Sequence, residues 1–533
     1  MQKLPARLML AAALATALPP ASWAQAPPGP SAIRLPALGD AAGEDFTVGV
    51  ERRLGEQIMA ELRRDPDYLD DPLLLDYVQS LWAPLLVAAR QRGDISADTD
   101  TALAWETFLV RDRSVNAFAL PGGFVGVHLG LIALTASRDE LAAVLAHEMS
   151  HVTQRHIARS IASSSRQSLV GLAALVLGVL AASRSGNGDA TQAVIVGSQA
   201  AMVQGQLNFS RDMEREADRI GWGVHTGGGF APVGVAAMFE KLEYASRLND
   251  SGAFPYLRSH PLTVERIGEA RTRFEAAPGP RQSALSPLDH QLMQARARVL
   301  MDSSVPTLRR LQGQDAGTAP DRTVALYASA LASLQLAEPA RARAAIEAAL
   351  PLARSAAPTD LRTAQALALL HAQTLQASGQ PDRASQVLAA VPQPGPPGSV
   401  RPLLLARAQA ALDTARGGGS ATALRDHTEA LQTWVAEHRT DAGAWALLAQ
   451  CADGLGLRLR SLRAEAEARA ALGDINGAMD RLRAAQRTAR TSTATPDFIE
   501  ASIIDTRLRD LTAQRRAQLA EARGERGRQE PPQ

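Results

Sequence analysis

Ser137-Arg138-Asp139-Glu140-Leu141-Ala142-Ala143-Val144-Leu145-Ala146-His147-Glu148-Met149-Ser150-His151 is the stretch that decides how this chain is read. Ser137 followed three residues on by Glu140 is a capping box, a helix start, and Leu141, Val144, Leu145 and Ala146 continue it with apolar side chains. On that helix His147 and His151 lie four apart and share a side, so both imidazoles can reach one zinc ion. Glu148 stands beside them, placed to take a proton from a water that the metal holds. A purely structural zinc would need a fourth protein ligand and would have no use for this glutamate, so the motif points to hydrolysis.

The third ligand must come from elsewhere, and the stretch Ser210 to Gly221, ending at Gly227 to Gly229, offers several acids. Read as a helix, it puts Glu214, Ala217, Asp218 and Gly221 on one face, with Glu216 about 200° around from Glu214. Ala217 and Gly221 remove bulk where this helix would press against the first. Glu214 is therefore the expected ligand, and Asp218, one turn on, the acceptor that fixes the tautomer of a ligating imidazole. The metal set is then His147, His151 and Glu214, with Glu148 as the catalytic base.

Upstream, Gly122-Gly123 make a turn into Phe124-Val125-Gly126-Val127-His128, a short strand just before the metal helix. An unpaired edge there would hold an extended peptide through its main chain, which makes Asn116, Phe124, Val125, Gly126 and Val127 the candidate substrate-binding residues; an internal strand is the other reading. His128 lies off the metal helix and reads as a packing residue. Downstream, Pro261 restricts His260 to an extended conformation in a loop. From there His260 could fill the open position of a three-ligand zinc and hold the enzyme latent, or donate a hydrogen bond to an oxyanion, or simply satisfy loop backbone groups.

HExxH followed at a distance by Glu214-x-x-Ala217-Asp218 resembles the metallopeptidase family that includes the CAAX prenyl endopeptidases and the membrane protease HtpX. Val115-Asn116-Ala117-Phe118-Ala119-Leu120-Pro121-Gly122-Gly123 is similar to the stretch that precedes the metal helix in that family. Its integral-membrane members carry hydrophobic spans. The longest internal apolar run here, Leu169 to Ala182, would reach only ~21 Å as a helix, so it is expected to be buried or partner-facing, a dip into a membrane surface being the alternative.

Beyond Phe274, Pro278-Gly279-Pro280 breaks the chain, and the remaining residues are rich in Ala, Leu and Arg with helical periodicity. Ala330, Ala337, Ala342 and Ile346 share their spacing with Ala372, Gly379, Ala384 and Leu388, and with Ala466, Gly473, Ala478 and Leu482. Small residues at these offsets suit close helix pairs with a turn between them, and the pattern resembles tetratricopeptide repeats. Trp445, Leu448 and Ala449 look like the opening of another repeat, out of phase with the unit containing Gly473. At the other end, Lys3 and Arg7, the apolar run Leu8 to Leu18 and small residues up to Ala24 read as a cleavable export signal.

The expected fold is mainly α: signal peptide 1–24, linker 25–43, zinc metallopeptidase domain with a small β-sheet 44–275, linker 276–283, tetratricopeptide-like helical domain 284–525 and a disordered tail 526–533. The charges nearly cancel, 56 Lys and Arg against 55 Asp and Glu, which argues against a nucleic-acid partner. With Cys451 as the single cysteine, neither an intramolecular disulfide nor a cysteine zinc site can form. Export signal, peptidase domain and repeat tail together resemble a periplasmic branch of the family. That resemblance implies one Zn2+ per chain and an endopeptidase that supports outer-membrane β-barrel assembly and degrades misfolded or stalled barrels, with chaperone-like activity. Unfolded outer-membrane proteins would be its substrates and the barrel-assembly machinery its partner through the repeats, with peripheral membrane association. A non-proteolytic chaperone or scaffold working through the repeats is the alternative.

Overall fold

The computed structural model describes residues 46–163, 211–247, 255–277, 287–313, 318–392, 400–491 and 497–529. The expected signal peptide and its linker, the run Leu169 to Ala182 and most of the 276–283 linker lie outside the described residues.

The first part of the chain runs α1 (Val48–Leu62), β1 (Tyr68–Leu69), α2 (Pro72–Arg92), α3 (Ala97–Ala102), β2 (Glu106–Val110), β3 (Ala117–Leu120), β4 (Phe124–His128), α4 (Leu129–Leu134), α5 (Arg138–Thr153), α6 (His156–Ser163), α7 (Arg211–Gly227), α8 (Val233–Arg247), α9 (Tyr256–Ser259) and α10 (Val264–Ala276). The metal helix of the sequence is α5. Its start is capped as expected by Ser137, whose hydroxyl accepts from the Glu140 N–H at 3.2 Å. The return bond differs: Glu140 accepts from the Ala136 N–H at 2.6 Å and from Lys241, tying α5 to α8. Every residue of α5 except Ala143 is buried, because α2, α7, α8 and β3 pack around it.

The sheet has four strands in the order β1-β2-β4-β3, with β2 and β4 parallel and the outer pairs antiparallel. The expected free edge at Phe124, Val125, Gly126 and Val127 is thus corrected: β4 is internal, paired with β2 on one side and β3 on the other. Gly122 and Gly123, both left-handed at φ 83° and 85°, fold the chain back so that Ala117–Leu120 takes the outer position. The nearly continuous apolar sequence of β4 suits a strand covered on both faces. Asn116 sits at the mouth of the true edge strand, its carbonyl accepting from the His128 N–H at 3.0 Å.

The rest of the described chain is helical: α11 (Pro287–Leu300), α12 (Val305–Gln312), α13 (Ala319–Gln335), α14 (Pro339–Ala356), α15 (Leu361–Ala377), α16 (Pro381–Ala389), α17 (Val400–Arg416), α18 (Thr422–Glu437), α19 (Ala442–Gly454), α20 (Arg458–Ala471), α21 (Ile475–Thr491) and α22 (Phe498–Gln529). The second residue of each of the three spaced sets, Ala337, Gly379 and Gly473, turns with φ 56°, 70° and 79°, and the alanines on either side are buried where successive helices meet. The conflicting phase of Trp445 also resolves. It lies on α19, which turns at Gly456 into α20, and α20 turns again at Gly473 into α21, so α20 belongs to both pairs. α22 continues to Gln529, into the stretch expected to be a disordered tail.

The helical part as far as α17 shares a core with the first part of the chain, while its later helices form two apolar clusters of their own. Leu288, Leu292 and Tyr327 share one apolar cluster with Leu74, Leu81, Leu129 and Leu145 of the first part. Ion pairs reinforce the junction: Arg296 binds Asp71 at 2.7 Å, Arg138 binds Asp289 at 2.6 Å, and Arg401 bridges Asp70 and Asp441. α2 is long and apolar enough to cross a membrane, but it is the helix on which this junction is built.

Candidate active site

α5 and α7 meet where the small residues allow it. A Cβ on Gly221 would stand 3.2 Å from the Ala146 carbonyl oxygen, tight enough that a side chain here would have to push the helices apart, and Ala217 is fully buried beside it. The contact brings Glu214 over the paired histidines. His147 Nε2 and His151 Nε2 are 3.0 Å apart, and the Glu214 oxygens lie 3.5 Å from each. His260 completes the group, with Nδ1 3.0 Å from Glu214 Oε1 and 3.3 Å from His147 Nε2. Ligand atoms from His147, His151, Glu214 and His260 all lie within 4.8 Å of one another, and all four residues are buried.

Three imidazoles and a carboxylate gathered out of water are costly to hold together unless a cation neutralises and coordinates them. The donor set, nitrogen and oxygen at tetrahedral number, fits a single zinc ion. Glu148 supports the fit: Oε2 accepts from the Ala119 N–H at 3.1 Å, while Oε1 is buried without a hydrogen bond and lies 3.5 Å from His260 Nε2.

Behind the ligands stand groups that fix them. Asp218 Oδ1 lies 3.0 Å from His147 Nδ1, which aims the Nε2 lone pair at the centre of the cluster. Arg266 clamps Asp218 through Nε and Nη2 at 2.6 and 2.9 Å, and its Nη1 reaches the Pro261 carbonyl at 2.7 Å and Glu214 Oε2 at 2.9 Å. One guanidinium therefore ties the His260 loop to a ligand and to the acid behind His147. His260 is also stacked on Tyr256, with ring centroids 4.6 Å apart.

Electrostatics follow this layout. Burial disfavours the His147 imidazolium, but Asp218 and Glu214 outweigh it and hold its pKa up to about 10; a bound cation would take over that neutralising role. Burial also opposes the Asp218 carboxylate, yet Arg266 and His147 keep its pKa below the usual range. Glu214 is likewise held low, by His260 and His147 against the effect of burial. Burial raises Glu148, the direction that suits a base which must later return a proton.

The structure therefore brings His147, Glu148, His151, Glu214, Asp218 and His260 together. It leaves Phe124, Val125, Gly126 and Val127 inside the sheet, with Asn116 beside the edge. His260 is not merely a loop residue, since both ring nitrogens face site carboxylates. Sequence reasoning missed Arg266, whose only signal was its place in the first turn of α10 just after the His260 loop. It also missed His156, the third histidine of a short stretch, and passed over Glu216.

Residues 86–274 match the family model described as Peptidase family M48. Over that stretch the chain is similar to the M48 peptidases. Over 273 residues it is 36% identical to the putative beta-barrel assembly-enhancing protease of Vibrio cholerae, covering 50% of this chain and 52% of that one. Over 250 residues it is 34% identical to the beta-barrel assembly-enhancing protease of Escherichia coli, covering 46% and 47%. The mitochondrial metalloendopeptidase OMA1 of Schizosaccharomyces pombe is 30% identical over 223 residues, covering 42% of this chain and 60% of that protein. The chain spans about half the length of the two bacterial relatives. The M48 match includes α5, α7 and α10, the helices that carry His147, Glu148, His151, Glu214, Asp218 and Arg266.

Proposed function

We propose that this chain is a zinc endopeptidase of the bacterial periplasm that supports outer-membrane β-barrel assembly and degrades misfolded or stalled barrel proteins. The observation that carries the reading is Glu148 held against a four-donor metal cluster beneath the edge strand β3. When bound, zinc polarises the scissile carbonyl and acidifies the attacking water. Glu148 takes the proton of that water and delivers it to the leaving amine. β3 offers the edge of the sheet to an extended peptide, a recognition that reads no particular sequence and suits unfolded clients, with the Ala119 N–H there already bound to Glu148. Asn116 stands at the start of that strand. His260, with Nδ1 3.0 Å from Glu214, is read as occupying the open ligand position at rest, which is latency: the loop must withdraw before water and substrate enter. The helical tail is assigned to binding of the barrel-assembly machinery, and no acid–base constellation appears among its described residues. A chaperone-like contribution fits the same surface, but a non-proteolytic scaffold would leave Glu148 without a task.

The test is degradation of a misfolded outer-membrane barrel protein by wild type and by Glu148→Gln, with zinc content measured in both. Glu148→Gln should keep zinc and fold and lose cleavage by at least ~10²-fold. Equal rates would remove the mechanism. Glu214→Ala should instead lose zinc, and an unchanged stoichiometry would move the third ligand to another acid.

A further inference from the structure

We propose that Glu216, acting through His156, orients His151 as a metal ligand, so that the site rests on two separate hydrogen-bonded chains, one behind each histidine of the motif. This role rests on the zinc-peptidase reading and extends it to residues that touch neither metal nor substrate.

The first chain is Arg266–Asp218–His147. The second starts where α5 ends. Arg155 adopts φ 50°, a left-handed conformation uncommon for a side chain of this size, and is held there by Glu51 at 3.1 Å and by the Phe46 carbonyl at 2.8 Å. That turn starts α6 immediately, and its first residue, His156, faces back onto His151 with the two Nδ1 atoms 2.9 Å apart. On its far side His156 Nε2 lies 3.1 Å from Glu216 Oε2, and the same oxygen accepts from Arg159 Nη1 at 2.9 Å. His156 is fully buried, and Glu216 reaches it from the side of α7 that faces away from Glu214.

Only one arrangement of protons satisfies this chain. The carboxylate of Glu216 can only accept, so His156 must carry its proton on Nε2 and present a lone pair at Nδ1. His151 must then carry its proton on Nδ1 and donate it to His156. That leaves the His151 Nε2 lone pair aimed into the cluster, which is what ligation requires. The opposite tautomers would set two lone pairs against each other at Glu216 and put a proton on His151 Nε2, where the metal belongs. Glu216 is thus a positioning residue that fixes, through one intervening ring, which nitrogen of His151 is free.

The experiment compares full-length wild type, Glu216→Leu, which removes the acceptor, and His156→Phe for zinc affinity by chelator competition, and for the visible spectrum after substitution with Co(II). Circular dichroism and thermal melting establish folding; if His156→Phe does not fold, Glu216→Leu decides. The expected result is a loss of zinc affinity of ~10- to 100-fold, with a shifted Co(II) absorption band. A merely structural role for Glu216 would leave the band of the loaded protein in place. Wild-type affinity and an unchanged band in Glu216→Leu would overturn the relay while leaving the peptidase reading intact. A wild-type chain that binds no zinc would remove both.

Discussion

Both ring nitrogens of His260 face carboxylates of the site, and its loop is fastened by the Arg266 contact to the Pro261 carbonyl. Removing the imidazole separates its two remaining roles. If His260 occupies the open ligand position at rest, His260→Ala returns that position to water. Turnover then rises by about the ratio of closed to open protein, roughly ten-fold if nine molecules in ten are closed. If its role is to stabilise an oxyanion, the same change lowers turnover by ~10²-fold or more. The 3.0 and 3.3 Å distances to a ligand carboxylate and a ligand imidazole favour the first outcome. Steady-state cleavage of an unfolded barrel protein at matched zinc loading distinguishes them, and a rate below wild type would discard latency.

At the level of elements, helices and strands differ in how far local sequence specifies them. The candidate metal cluster was legible because helical spacing is local: four residues set His147 against His151, and four set Glu214 against Asp218 behind it. The strand edge was not, because which side of β4 is covered depends on β2, a pairing between distant residues that no local pattern carries. Arg266 and His156 were missed for the same reason, since each acquires its role only through α7. The α5–α7 contact itself was foreseen from Ala217 and Gly221, and it can be tested there. A valine at Gly221 would drive its Cβ into the Ala146 carbonyl and the His147 Cα, both backbone atoms that cannot yield cheaply. Gly221→Val should cost about 1–3 kcal/mol by overpacking and, by pushing Glu214 off the histidines, lower zinc content. Denaturant unfolding and metal analysis on the same sample check the two effects, and retention of wild-type zinc would mean that Glu214 does not depend on this contact.

At the scale of the molecule, the first helices of the tail are part of the peptidase core, so deleting residues 284 to 533 would strip apolar surface from α2 and α4 as well as any docking face. A point probe of the junction is His290 on α11. Its Nε2 donates to the Thr135 carbonyl just before α5, and its Nδ1 accepts from the Tyr77 hydroxyl of α2, so the neutral ring already has a partner at both nitrogens. Burial pushes its pKa down to about 4, below the ordinary value of about 6.5 expected in the unfolded chain. Between those two values the unfolded state binds more protons than the folded one, so stability falls as the pH falls. The contribution of His290 is complete above pH ~6.5, and at pH 5 about 2 kcal/mol of it has been lost. His290→Gln removes the titrating group while keeping a donor and an acceptor. The drop in unfolding free energy between pH 7 and pH 5 should then be smaller in the variant by about 2 kcal/mol, the other buried histidines and the zinc site contributing equally to both proteins. Parallel pH profiles for the two would show that His290 is as easily protonated in the folded junction as in the unfolded chain.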